Sequence, residues 1–240
     1  MSAIEPVDLL VLGPHPDDLE IGMGGTIALH ASLGHRVGLC DLTAGEMGSN
    51  GTVDGRLAEA DAACRVLGAS WRMNLHLPDR ALGTDAAHQV RIASLVRQAR
   101  PQTVCLPYWA DRHPDHVAAS RLTTEAVFSA GLRRFRAEGE AWKPGRVCYY
   151  FINDHVEPSF VVDVGAVYAT KREALACHAS QFAPAGPDAV QTRLTTSRFQ
   201  QLIESRDSQF GAQIGSDFAE GFVVTRVQSR PHLLFDSAPA

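Results

Sequence analysis

The feature that most constrains this chain is an apolar run, Leu9-Leu10-Val11-Leu12-Gly13, that passes directly into Pro14-His15-Pro16-Asp17-Asp18. A short uncharged run with no polar alternation, bounded by Gly and Pro, reads as a strand buried on both faces, as in parallel sheets. Open α/β sheets bind ligands outside the carboxyl ends of their strands, so this run would deliver His15, Asp17 and Asp18 into a crevice. A second run, Thr103-Val104-Cys105-Leu106-Pro107, is followed shortly by His113-Pro114-Asp115-His116. Two strand-end clusters rich in imidazole and carboxylate are what a mononuclear zinc hydrolase needs: three ligands and one free base.

The intervening patterns agree with that class. Further strands are expected at 37–42, 72–77, 147–152, 160–164 and 220–227. Helical patterns fall between them, running to about 33, over 56–67, from the cap Asp85 to before Pro101, and over 114–128. Two more are expected at 167–180 and 195–210, around a Pro/Gly-rich linker at 183–188. This alternation predicts an α/β fold, a three-layer sandwich on a mainly parallel sheet, with the late strands able to run antiparallel at one edge. Residues 1–240 read as a single domain, because the length needs no second core. Gly22-x-Gly24-Gly25 lacks dinucleotide-motif spacing and follows acidic residues that would repel a pyrophosphate, so close packing of helix on strand is its better account.

Composition excludes several function classes. A formal charge of −5 and the lack of any dense Lys/Arg block argue against nucleic acid as a partner. No apolar run approaches the ~18 residues of a membrane span, and the amino terminus has no signal-type core. The five cysteines are odd in number, widely spaced and set in apolar surroundings, which suits buried thiols in a reducing cytoplasm.

The chemistry can be assigned residue by residue. Pro16 fixes φ between His15 and Asp18, so the chain turns sharply and can aim both side chains at one point, with His116 as third ligand. Asp17 is then left beside water whose pKa zinc lowers to about 7, positioned to take its proton. The plainer alternative makes Asp17 and Asp18 caps of the following helix. His113 with Asp115 could protonate a leaving amine or stabilise an oxyanion, against a surface histidine beside a helix cap. Glu46, Asn50, Arg56 and Glu59 lie at or beyond the second strand's end. Arg56 and Glu59 share a helix face, either as an exposed ion pair or as a wall binding sugar hydroxyls and a carboxylate, with Arg80 and Arg112 as further candidates.

His15-Pro16-Asp17-Asp18 with Glu20, together with His113-Pro114-Asp115-His116, resembles the zinc-dependent N-acetylglucosamine deacetylase family over nearly the whole chain. The likeness is nearest to the bacillithiol-biosynthesis branch, which deacetylates N-acetylglucosaminyl malate, through residues 41–52, Pro107-Tyr108, Asp111-Arg112-His113, Ser180-Gln181-Phe182 and Ala219-Glu220-Gly221-Phe222. It implies a Rossmann-like fold, often in a homo-hexamer, and a small glycoside as substrate. It also implies zinc on His15, Asp18 and His116, with iron(II) as the alternative ion, and Asp17 as general base. His113, oriented by Asp115, becomes the acid or electrostatic partner. Arg56 would meet the substrate's carboxylate side and Glu46 its sugar. His178 stands where many members of that branch carry Tyr.

Overall fold

The computed structural model describes residues 4–227. Strands β1 (Leu9–Gly13), β2 (Val37–Asp41), β3 (Trp71–Asn74), β4 (Thr103–Pro107), β5 (Arg146–Tyr150), β6 (Phe160–Asp163) and β7 (Ala219–Val223) form one seven-stranded sheet in the order β3-β2-β1-β4-β5-β7-β6. Pairs β1–β2, β2–β3, β1–β4 and β4–β5 are parallel, and β7 alone runs against its neighbours β5 and β6. The chain winds outward from β1 to β3 and then returns to place β4 on the other side of β1. That reversal between β1 and β4 is where such sheets open a crevice, and both His/Asp clusters emerge there.

Seven helices cover the two faces: α1 (Asp18–Ser32), α2 (Val53–Leu67), α3 (Ala86–Ala99), α4 (Pro114–Ala130), α5 (Tyr168–Cys177), α6 (Ala179–Phe182) and α7 (Ser197–Ala212). Successive strand residues point to opposite faces, and β1 therefore feeds both cores. Leu10 and Leu12 pack with Val104, Leu106 and the α3–α4 residues Ile92, Val96 and Leu122. Leu9 and Val11 pack with Leu39, Ile27 of α1, Leu67 of α2 and Ile203 of α7. The three-layer α/β sandwich expected from the sequence is present. Thr52 and Asp85 cap α2 and α3 by accepting the N–H of Gly55 and Ala87, and Pro114 opens α4 where its missing N–H costs nothing.

The Gly run lies inside α1, which kinks at Met23 (φ −152°, ψ 29°). A side chain at Gly22 would fall on the Tyr150 ring and the Phe151 carbonyl, and one at Gly25 on Val164. Close packing is thus the reason for these glycines. The kink frees backbone groups, and buried charges satisfy them. Glu220 accepts the N–H of Gly25 and Thr26 at 2.9 and 2.6 Å, while Arg206 donates to Ile21 O at 2.7 Å. Lys171 joins the two sides, 2.6 Å from both Asp207 and Glu220, and Arg206 reaches Asp207 at 3.0 Å.

Several expected boundaries shift, the strand expected at 72–77 ending at Asn74 among them. The helix expected over 167–180 breaks at His178 into α5 and α6, and the last strand ends at Val223. Cys40, Cys64, Cys105 and Cys148 are buried free thiols, and Cys177 is half-buried. Among the described residues no helix is long and apolar enough to cross a membrane.

Candidate metal centre

The end of β1 is locked before the cluster begins. Pro14 O accepts both the N–H and the hydroxyl of Thr43, each at 3.0 Å. The chain then closes a tight turn on itself: Asp18 N donates to His15 O, and His15 N donates to Asp18 Oδ2 at 3.0 Å. Asp17, between them, adopts φ 114°, a left-handed conformation that is strained for any residue but Gly. That strain turns consecutive carboxylates in different directions.

His15 Nδ1 lies 3.0 Å from Asp18 Oδ2, and His116 Nε2 lies 3.3 Å from Asp18 Oδ1. One donor atom from each of His15, Asp18 and His116 falls within 4.8 Å of the others, close enough to share one ion. Each imidazole is also held at its outer nitrogen. His15 Nε2 faces Asp79 at 3.3 Å and Asp115 at 3.4 Å, and His116 Nδ1 faces Asp111 at 3.0 Å. Carboxylates at the outer nitrogens are the usual way metal-binding histidines are oriented. Two imidazoles and one carboxylate, all largely buried, form a donor set that suits zinc or iron(II). The charges point the same way. Burial alone would raise Asp18, but the imidazoles of His116 and His15 hold its carboxyl well below the ordinary range. Burial would depress His116, yet Asp18 and Asp111 push it up to about 9. A divalent cation bound by these groups would compete with protons for the imidazole nitrogens.

Asp17 is buried but stands outside that donor set, and burial pushes its carboxyl up to about 6 against the pull of Arg56. His113 is half-buried, stacked on His116 at 4.7 Å, and its Nδ1 accepts the N–H of Asp115 at 3.2 Å. In the neutral ring that leaves the proton on Nε2. Burial, followed by the neighbouring His116 and His15, lowers the pKa of His113, which favours the neutral ring. A cleft of about 190 Å³ opens over these groups, with Arg56, Arg80, Arg112, Asn153 and Phe199 in its wall.

Residues 10–127 match the PIG-L family model, GlcNAc-PI de-N-acetylase. A diacetylchitobiose deacetylase of Thermococcus kodakarensis is 33% identical over 189 residues, covering 72% of this chain and 70% of that protein. The chain belongs to the PIG-L family. A 1D-myo-inositol 2-acetamido-2-deoxy-alpha-D-glucopyranoside deacetylase of Rhodococcus jostii is 28% identical, covering 75% of this chain and 84% of that one. A crystal structure of a conserved protein from Thermus thermophilus superposes with a TM-score of 0.85 at 38% identity, covering 98% of this chain and all of that one. A 4-oxalmesaconate hydratase of Pseudomonas putida is also similar, 29% identical over 72% of this chain and 73% of its own length.

Within this PIG-L chain, His15, Asp17, Asp18, His113, His116 and Arg112 all reach the cleft. Four further candidates have side-chain partners that the sequence did not reveal. Arg56 is 5% exposed and lines the cleft, and its guanidinium lies on Pro16 O, Gly45 O and Asp17, so it braces the motif at the cleft wall. Glu59 does not pair with Arg56 across a helix face but accepts the N–H and hydroxyl of Ser180, both at 2.7 Å, tying α2 to α6. Glu46 accepts the N–H of Asp79 at 2.7 Å and so braces the loop whose Asp79 and Arg80 line the cleft, without lining it itself. Asp115 holds His113 through its backbone N–H, while its carboxylate goes to Arg80 at 3.1 Å and to His15. Sequence reasoning missed Asp79, Asp111 and Asn153. Asp79 and Asp111 sit just past the carboxyl ends of β3 and β4, and that position was the available signal. His178 is fully buried with Nε2 3.2 Å from Glu20 Oε2, beneath the motif and away from the cleft wall.

Proposed function

We propose that this protein is a zinc-dependent N-deacetylase that hydrolyses the acetamide of an N-acetylglucosaminyl conjugate, with N-acetylglucosaminyl malate of bacillithiol biosynthesis as its substrate. The observation that carries this reading is one buried carboxylate, Asp17, held by Arg56 beside a His15–Asp18–His116 donor set it does not join. Ligand binding alone needs no such base. A bound ion supplies Lewis acidity toward an acyl oxygen and lowers the pKa of water to about 7. The protein's own groups divide the rest. Asp17 accepts the proton of the attacking water and can pass it to the departing amine, which general acid–base catalysis requires. His113, neutral with its proton on Nε2, donates a hydrogen bond to the developing oxyanion. This differs from an imidazolium held by a carboxylate and follows from the Asp115 N–H at Nδ1. The cleft's apolar side, Ile152, Leu194 and Phe199, gives a sugar ring a surface to lie on.

The malate assignment draws support from the mouth of the cleft. Arg112 is exposed there, and Arg80 shares the rim with part of its guanidinium on Asp115. Two guanidinium groups at the rim suit an aglycone bearing carboxylates. The test is turnover by the metal-loaded protein, read as free amine and acetate, on N-acetylglucosaminyl malate, its neutral methyl glycoside, free N-acetylglucosamine and diacetylchitobiose. The reading expects the malate glycoside to be preferred, with Arg112→Ala raising KM for it roughly 10-fold or more, the scale of a charge-assisted hydrogen bond. Equal turnover of neutral glycosides removes the malate assignment. No amine release from any of them, with hydration of an unsaturated dicarboxylate instead, removes the deacetylase reading.

A further inference from the structure

We infer that Asp111 is the positioning residue that commits His116 to metal binding, by fixing which ring nitrogen carries the proton. This rests on the proposed metal centre. Asp111 Oδ1 lies 3.0 Å from His116 Nδ1, and its side chain is 3% exposed. An ionised carboxylate can only accept, so it holds a proton on Nδ1 and leaves the Nε2 lone pair facing Asp18. That is the nitrogen found 3.3 Å from Asp18 Oδ1.

The arrangement is not shared by the other ligand. His15 Nε2 has two carboxylates within reach, Asp79 and Asp115, so loss of either leaves the other in place. At His116 Nδ1, among the described residues, Asp111 is the one carboxylate. Its neighbour there is the Asn153 amide at 3.4 Å, which can only donate to that nitrogen and so would favour the opposite tautomer. Asp111 also controls that competitor. It takes the Asn153 amide on Oδ1 at 3.0 Å and the Asn153 N–H on Oδ2 at 2.9 Å, drawing the amide toward itself. The His113 N–H reaches Oδ1 at 2.8 Å, and the Asp154 N–H lies 3.5 Å from Oδ2. One carboxylate thus sets the His116 tautomer, occupies the amide that would oppose it, and holds the backbone of His113 at the start of α4.

A residue that merely braced the loop would give the same contacts, so the test separates the two roles. Zinc dissociation constants are measured by chelator competition for wild type, Asp111→Asn and Asn153→Ala. Cobalt(II) visible spectra follow the ligand set, and circular dichroism follows the fold. Replacing Asp111 by Asn removes the charge and offers an amide donor to Nδ1, so zinc should bind roughly 10- to 100-fold more weakly, the usual effect of losing such a partner. The Asn153→Ala protein, which keeps the Asp111–His116 pair but loses its amide link to the 151–154 segment, should bind zinc within about threefold of wild type. In zinc-loaded wild type, proton NMR should show a slowly exchanging His116 Nδ1 proton, a measurement that needs no variant to fold. Unchanged zinc affinity in Asp111→Asn, equal weakening in both variants, or no such proton would each overturn the inference while leaving the metal centre standing. A wild-type protein that binds no zinc or iron(II) would overturn the metal centre itself, and this inference with it.

Discussion

The guanidinium of Arg56 lies 3.4 Å from the Asp17 carboxylate, and the same group closes on Pro16 O at 2.8 Å and Gly45 O at 2.9 Å. A cation thereby sits against the proposed base and pins the strained backbone on which that base is carried.

Arg56→Ala should lower kcat/KM roughly 10- to 150-fold, the range of a charge-assisted hydrogen bond, and by the same factor on charged and neutral glycosides. Burial raises the Asp17 carboxyl to about 6 while Arg56 opposes that rise. Removing the cation lets it rise further. A base acts only when deprotonated, so the acidic limb of the kcat/KM profile should move to higher pH. A loss confined to KM for anionic glycosides, with the limb unmoved, would return Arg56 to substrate binding.

The adjacent carboxylates should separate on substitution. Asp17→Asn should retain its metal while kcat falls about 10²–10⁴-fold, the typical contribution of a general base. Asp18→Asn should lose metal, since a neutral amide oxygen is a poorer zinc ligand than a carboxylate. Elemental analysis beside turnover decides, and metal loss from Asp17→Asn would reverse the assignment.

Lys171 is fully buried between Asp207 and Glu220. Lys171→Met would leave those carboxylates one cation short in the interior, which costs about 3–5 kcal/mol. For a chain of this size that corresponds to a melting temperature lower by roughly 6–20 °C. Thermal unfolding of the metal-free protein checks it. A drop of a degree or two would mean the α1 kink does not depend on the cluster.

Glu20 adds a pH dependence to folding. Burial would raise its carboxyl, but Arg72 at 2.5 Å and His178 overrule burial and lower it from 4.5 to about 2. A carboxylate depressed in the folded state contributes stability in full above its unfolded value and loses it as pH falls. The gap in denaturant stability between wild type and Glu20→Gln should therefore be largest above pH 5 and narrow progressively toward pH 2. A gap independent of pH would show that packing, not charge, is what the substitution removes.

The sequence by itself determined the strands, the parallel core and the two clusters that meet at the crevice. Apolar runs such as Leu9–Gly13 are buried on both faces wherever they fold, and strand ends in such sheets converge on one edge. It also determined that His15, Asp18 and His116 can come together, because Pro16 and Pro114 restrict the local turns that carry them. Tertiary structure alone decided where the charged side chains spend their hydrogen bonds. Arg56 and Glu59 are neighbours on α2, yet one turns under the motif to Asp17 and the other reaches Ser180, 121 positions along the chain. Asp79 and Asp111 are marked only by their position past strand ends, and Asp79 takes its meaning from an imidazole 64 positions away along the chain. Periodicity records which faces are apolar, but the partner of a buried charge is set by whatever the packing of distant segments brings within about 3 Å.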